Sequence, residues 1–429
     1  MALLKLVTRI ECDFYIDYDF KLHLKPGSLS RLNIRKGTYI FEFKINNILI
    51  HSEEYSIPSN DEEILYKFMM SSNSLVITYE SPKMLTNEID GEIINHIFVN
   101  GAGVLQVDYS QSSIDFHDLS VCDTFKTIII PTSVKTISTA AFSACKNLED
   151  IHIPDSVEVI GDRAFEGCSN LKTITIPLSV LTIGEDAFAS CFNLETITIP
   201  QSVTAIGNGA FYYCNSLESI IFLCDITKIS DYMFYRCHSL ETIILPDTVE
   251  SIGTWAFREC YNLKTLDIPK NVVSIGEQAF SVCHSLKCLN LPPSLTSFSE
   301  WEFESCRSLE KIIIPSTVTT IGRFAFIDCP SLKYVYISES VSIIEDGAFY
   351  SCKSLSNIVI PSNVTSIGRG VFHKNTREIF IKALVPPQLD SSFDYGTQIY
   401  VPSESIEAYR ANDNWSYGSS IIAYDYTLL

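Results

Sequence analysis

One number governs what this chain can fold into: 23. Cys122, Cys145, Cys168, Cys191, Cys214, Cys237, Cys260, Cys283, Cys306, Cys329 and Cys352 each lie 23 residues after the last. Phenylalanine keeps the same step from Phe142 through Phe165, Phe188 and Phe211 to Phe372, and proline follows it at Pro131, Pro154, Pro177 and Pro200. A unit this short buries too little apolar surface to fold alone. Stacked copies bury a continuous column, so the repeat dictates a solenoid in which each unit leans on its neighbours.

The unit from Leu148 to Asn170 shows how each position works. Ile151-His152-Ile153 alternates, which is a short strand with both isoleucines on one face. Pro154 ends it, because proline has no N–H to extend a ladder. Asp155-Ser156 turn the chain. Val157 and Ile160 return apolar groups to the inside. Gly161 is read as a tight or left-handed corner. Ala164, Phe165 and Cys168 have the spacing of one short helical turn facing inward. Strands stacked in parallel at about 4.8 Å, twelve of them, make a sheet on the order of 50 Å long. The strand side is expected to be concave and the helical turns convex.

The pattern Leu-x-x-Ile-x-Ile-Pro-x-x-Val-x-x-Ile-Gly-x-x-Ala-Phe-x-x-Cys resembles the BspA-like class of leucine-rich repeats, over residues 117–382. The resemblance implies a right-handed α/β superhelix with a parallel concave sheet, protein recognition or adhesion as its work, and no catalysis. Many members are bacterial surface proteins.

The ends lie outside the repeat. Residues 1–85 alternate in segments such as Cys12–Tyr18, Ser30–Ile34 and Gly37–Phe43, separated by Pro26-Gly27 and Asn46-Asn47. They read as a small antiparallel β-domain. Lys25 to Phe43 is similar to small β-sandwich modules of the PEGA type. Residues 86–116 are expected to form a transition and N-terminal cap. Residues 383–429 are expected to form a C-terminal cap, with a strand at Gln398–Pro402 and a short helix from Ser403. That ending resembles the cap of BspA-like proteins.

Composition narrows the partners. The net charge is −20 over 429 residues, which speaks against nucleic acid and anionic membrane, since both need clustered Lys and Arg. No stretch reaches the roughly 20 apolar residues that cross a bilayer, so no membrane insertion is expected. Lys5, Arg9 and Glu11 interrupt the apolar start, so no export signal is read. The chain is expected in the cytoplasm if Met1 is its true start, and at the cell surface or secreted if a leader was removed. A monomer is expected.

Eleven of the 14 cysteines sit one per unit, and a single thiol per loop does not make the four-ligand site of structural zinc. They are read as small buried core residues. No cofactor or metal site is expected. No phosphate loop, His-Glu-x-x-His or Gly-x-Ser-x-Gly is present. His238 and His284 directly follow repeat cysteines, but a thiol that faces the core leaves no nucleophile beside them.

The informative variation lies at strand positions that face solvent. Early units carry Thr there. Late ones carry large apolar groups: Ile313, Tyr334, Tyr336, Val359 and Phe380, with Ile244 upstream and Lys311 beside them. Exposed apolar clusters mark interfaces, although strand propensity alone also favours these residue types. These seven residues are the expected contact surface for a protein partner. Two other readings stand beside it. In one, the solenoid is a scaffold that spaces its terminal modules. In the other, the N-terminal β-domain binds carbohydrate through Tyr15, Tyr18 and Tyr39, with the repeats as a stalk.

Overall fold

Stacked parallel strands, in register at the repeat length, form the body of the chain. The computed structural model describes residues 111–114, 123–372, 374–393, 396–416 and 419–426 in full, and the backbone of the strands before residue 109. The chain divides into two units, residues 1–137 with 145–157 and residues 138–144 with 158–429.

In the first unit, Gly37–Ile45 pairs antiparallel with Ile48–Ile57, and Ala102–Asp108 pairs antiparallel with both Ser74–Glu80 and Glu92–Val99. Ala2–Val7 pairs parallel with Glu63–Lys67. Phe125–Ile129 pairs antiparallel with Ser74–Glu80 and parallel with Asp150–His152. A parallel ladder thus grows from the edge of an antiparallel sheet. Side chains before residue 109 lie outside the described residues. So do the similarity to PEGA-type modules and the expectation attached to Tyr15, Tyr18 and Tyr39. Cys145 is disulfide-bonded to a partner beyond the described residues, which corrects its reading as a free core thiol.

The second unit has two parallel ladders. The longer-stranded one carries the expected alternation. Thr173–Thr175, Thr196–Ile199 and Ser219–Phe222 stack with Thr173, Thr196 and Ser219 in register. The shorter one was expected only as inward apolar groups. It runs through two-residue strands such as Val159–Ile160, Thr182–Ile183 and Ala205–Ile206. Between the ladders the core is a set of columns. From Phe142 to Phe372 each ring stacks on the next at 5.2–6.1 Å, with interplanar angles of 20° or less. Ala, Cys, Leu, Val and Ile fill the neighbouring columns and are buried in nearly every coil. Each repeat thiol from Cys168 to Cys352 donates to the carbonyl of the Phe 26 residues earlier, at 3.1–3.3 Å. A weak donor in an apolar column thereby finds an acceptor.

The turn side is not helical, contrary to the expectation for Ala164, Phe165 and Cys168. Arg163 and Gly167, four residues apart, sit at φ 56° and 72°. A left-handed residue breaks the i→i−4 chain of an α-helix. The backbone bonds alternate instead. Ala164, Glu166 and Cys168 donate within their coil, to Gly161, Arg163 and Phe165. Arg163, Phe165 and Gly167 donate to Glu185, Ala187 and Ala189 of the next coil, each at 2.7 Å. Every N–H in the stretch is satisfied without a helical turn. Among the described residues, α-helix is confined to Ile406–Arg410 and Asp413–Ser416.

The repeat glycine also has a different reason from the one read in its sequence. It does not take a left-handed conformation; that falls two residues later. Its hydrogen atom lets two coils touch. A Cβ on Gly184, Gly207 or Gly276 would lie 2.4–2.5 Å from the backbone nitrogen of Asp162, Glu185 or Thr254 in the preceding coil. At two coils where Ser replaces this glycine, Ser230 and Ser299, the short ladder breaks. The hydroxyls of Ser230 and Ser299 bond Ile206 O and Ile275 O at 2.8 and 2.6 Å, the acceptors that the glycine N–H takes in other coils.

Candidate functional site

The outward row of the long-strand ladder separates the expected residues into groups. Lys311–Ile313 pairs with Tyr334–Tyr336, so Lys311 lies opposite Tyr334 and Ile313 opposite Tyr336. The strand pleat turns all four to one face. Ile313 is 51% exposed, Tyr334 67% and Tyr336 61%, and Lys311 is also exposed. These four residues make one patch on adjacent strands.

Val359 belongs to the next strand, Asn357–Ile360, and is 37% exposed. Phe380 departs from the expectation. It lies in register between Val359 and Tyr400, stacks on Tyr400 at 4.4 Å and 7°, and meets the edge of Tyr424 at 5.3 Å. One face of its ring is already covered, and it is only half exposed. Ile244, at 86% exposure, stands three units upstream of Ile313. Asp267 and Asn290, hydrogen-bonded at 3.1 Å, occupy the same row between them. Ile244 instead neighbours Ile221, which is likewise exposed.

Tyr400 and Tyr424 are the residues that sequence reasoning missed. Tyr400 follows Phe380 by 20 residues instead of 23, so the repeat no longer marks it as a ladder position. The signal was the alternation in Gln398–Pro402. The Tyr400 hydroxyl donates to Gln398 at 2.9 Å, and burial together with the Glu378 carboxylate raises its pKa.

Beside the four-residue patch the ladder opens. Cys288–Asn290 and Lys311–Ile313 are not paired. Between them lies a groove of about 370 Å³, lined by Cys288, Leu289, Asn290, Leu291, Pro293, Lys311, Ile313, Pro315 and Ser316. Ion pairs flank this face: Lys264 with Glu241 at 2.7 Å, Lys333 with Glu310 at 3.7 Å and Lys382 with Glu339 at 3.3 Å.

The turn side carries a second aromatic group that the repeat pattern did not flag. Tyr232, Tyr235 and Trp255 meet edge-on or tilted at 5.4–6.5 Å. The Arg236 guanidinium lies 4.7 Å from the Tyr213 ring and that of Arg258 4.8 Å from Trp255. Glu259 pairs with Arg236 at 2.9 Å and accepts from the Tyr235 and Tyr261 hydroxyls. These groups stack and pair across coils and act as a clasp.

His238 and His284 stack on the two faces of Tyr261 at 4.5 and 5.0 Å, and burial lowers both pKa values. The adjoining thiols face the core, where burial pushes Cys283 up to about 12. A thiol so held supplies no thiolate to a neighbouring histidine. Among the described residues, no group of three or more His, Cys, Asp or Glu side chains is placed to hold a metal ion. No helix there is long and apolar enough to cross a membrane.

Parallel ladders at a 23-residue step, one Leu, Phe and Cys column per coil and an outward strand row define a leucine-rich-repeat solenoid. The chain belongs to the BspA type leucine rich repeat family, whose pattern matches residues 93–217, 135–264 and 256–379. A leucine-rich repeat protein from Bacteroides ovatus is 26% identical over 84% of this chain and 100% of its own, with a TM-score of 0.58. A leucine rich cell surface protein from Faecalibacterium prausnitzii is 26% identical, over 81% of this chain and 96% of its own, with a TM-score of 0.44. The pneumococcal vaccine antigen PcpA is 22% identical, over 80% and 91%, with a TM-score of 0.42. No curated protein is significantly similar to the chain.

Proposed function

We propose that this chain is a recognition protein that docks a protein partner on the outward face of its long-strand ladder, at Lys311, Ile313, Tyr334 and Tyr336. One observation carries the reading: two tyrosines and an isoleucine, each more than half exposed, stand opposite one another on paired strands. Strand propensity does not demand this. Thr173, Thr175, Thr196 and Thr198 occupy equivalent outward positions with small β-branched side chains. A soluble face that replaces Thr with Tyr exposes apolar area at a cost in solubility, and such patches mark interfaces. Tyrosine is favoured at binding hot spots because it brings large area with little rotamer entropy. The groove beside Ile313 gives a partner side chain somewhere to enter, and Lys311 at its rim favours an acidic group there.

The test begins with a protein captured from bacterial and host lysates on the immobilised chain. Its affinity is then measured for the wild type and for the paired substitution Tyr334→Ala with Tyr336→Ala. Two hot-spot losses of about 1–2 kcal/mol each weaken binding by more than tenfold, with the thermal midpoint unchanged. Full affinity in the substituted protein removes this face as the docking surface.

A further inference from the structure

The coil of residues 291–310 differs from its neighbours at three inward or close-contact positions at once. Phe298 stands where the adjacent coils have Ile275 and Ile321, Ser299 where they have Gly276 and Gly322, and Glu302 where they have Ala279 and Ala325. Glu302 is fully buried in a column otherwise filled by Ala256, Ala279, Ala325 and Ala348. Its Oε2 accepts the Ser299 N–H at 2.8 Å, and its Oε1 has no hydrogen-bond partner. That N–H is the group which, as glycine, bonds the preceding coil elsewhere: Gly276 N donates to Ile252 O at 2.8 Å. At Ser299 the carboxyl has captured it.

Both ladders are interrupted here. The short ladder ends at Ser274–Ile275 and resumes only at Thr320–Ile321. The long ladder is unpaired between Cys288–Asn290 and Lys311–Ile313. The turn side keeps its coil-to-coil bonds: Phe280 N to Glu302 O at 3.0 Å and Phe303 N to Ala325 O at 2.8 Å. Side chains reinforce this same side, as in Arg258 to Ser281 at 3.2 Å, Ser281 to Glu304 at 2.9 Å, and Ser305 to Asp328 at 3.3 Å. The coil keeps backbone bonds along the turn side, while on the ladder sides hydroxyls take over from the missing strand pairing, as in Ser299 to Ile275 O at 2.6 Å and Ser294 to Val272 O at 2.7 Å. A side held by side chains rather than by a strand ladder is the one that gives first.

We propose that residues 291–310 form a pH-gated joint, closed while Glu302 carries its proton and opened on the ladder sides when Glu302 ionises. An ionised carboxylate in this column has one N–H donor and no cation. Burying a charge so poorly compensated is far costlier than burying the neutral acid. The charged and titratable groups of the surrounding turns are Glu277 and Cys283 on one side, Arg323, Asp328 and Cys329 on the other, and Glu300, Glu304 and Cys306 on the same coil. None of them shifts Glu302. Burial raises its pKa well above the ordinary range, and the Ser299 N–H lowers it only in part. A carboxyl whose folded pKa is raised favours the closed state at low pH. That contribution is lost as pH climbs from the ordinary carboxylate value toward the raised one.

Hydrogen exchange of the full chain tests this without any partner. Protection of the 295–303 amides, corrected for intrinsic exchange, should fall by up to about tenfold per pH unit over that window. Glu302→Ala restores the residue of the neighbouring coils and should make protection independent of pH. Glu302→Gln, isosteric and uncharged, should do the same. A pH dependence that persists in both variants overturns the proposal. So does a carboxyl NMR titration of the wild type that places Glu302 at an ordinary glutamate value.

Discussion

At the scale of single residues, the spacing between coils depends on a missing Cβ. The repeat glycine showed in the sequence as a fixed position, but its reason did not. Sequence periodicity reports which residues recur, and a close approach between two backbones 23 residues apart leaves the same trace as a left-handed corner. The structure separates the two, because Gly207 has an ordinary φ while a Cβ there would stand 2.4 Å from Glu185 N. Gly207→Ala should therefore destabilise the protein by about 1–3 kcal/mol, the usual range for forcing extra volume into a packed contact. Its thermal midpoint should drop measurably; an unchanged melt would mean that the coils have slack to give. The candidate site was legible at this scale only in part. Ile313, Tyr334 and Tyr336 stood out as large residues in an outward column. The covering of Phe380 by Tyr400 did not, because the unit between them is three residues short.

Single elements behave as columns rather than as strands. The thiol column is the clearest case. Its spacing announced buried cysteines, and from Cys168 to Cys352 they are buried and free, each bonded to a Phe carbonyl. Cys288 is the exposed free thiol among the described residues. A maleimide reagent applied to the native protein should modify Cys288 within minutes. It should leave the column untouched until denaturant is added, since burial holds Cys191 and Cys283 near 12 and the thiolate is the reactive form. Peptide mapping reads this directly, and native modification of Cys214 or Cys260 at the rate of Cys288 would contradict it. The turn segment was the element least legible in the sequence. Inward residues at i, i+1 and i+4 fit a helical turn and a chain of left-handed corners equally well, so the pattern could not tell them apart. What decides is where each N–H goes, and half of them leave the coil.

For the whole molecule, the open end of a parallel ladder is the exposed feature. Glu378–Ile381 is followed in register by Gln398–Pro402 and then by Ser420–Tyr424. The segment between them is anchored by Tyr409 Oη to Ala383 O at 2.8 Å and Trp415 Nε1 to Pro387 O at 3.0 Å. Removing residues 398–429 leaves the edge of Glu378–Ile381 unpaired, and such an edge recruits other chains. Sedimentation of the shortened protein should show greater self-association than the full chain at the same concentration; an unchanged profile would argue that the edge is harmless. The two-ladder architecture was legible from the period, and its interruptions were not, because they fall inside an unbroken count of 23. The alternating turn bonds carry one more consequence. Each coil presents its successor with the same donors and acceptors that it received from its predecessor, so a coil inserted or lost by in-frame duplication or deletion of its gene segment meets a matching neighbour on both sides. The lineage can then change its reach by copying units.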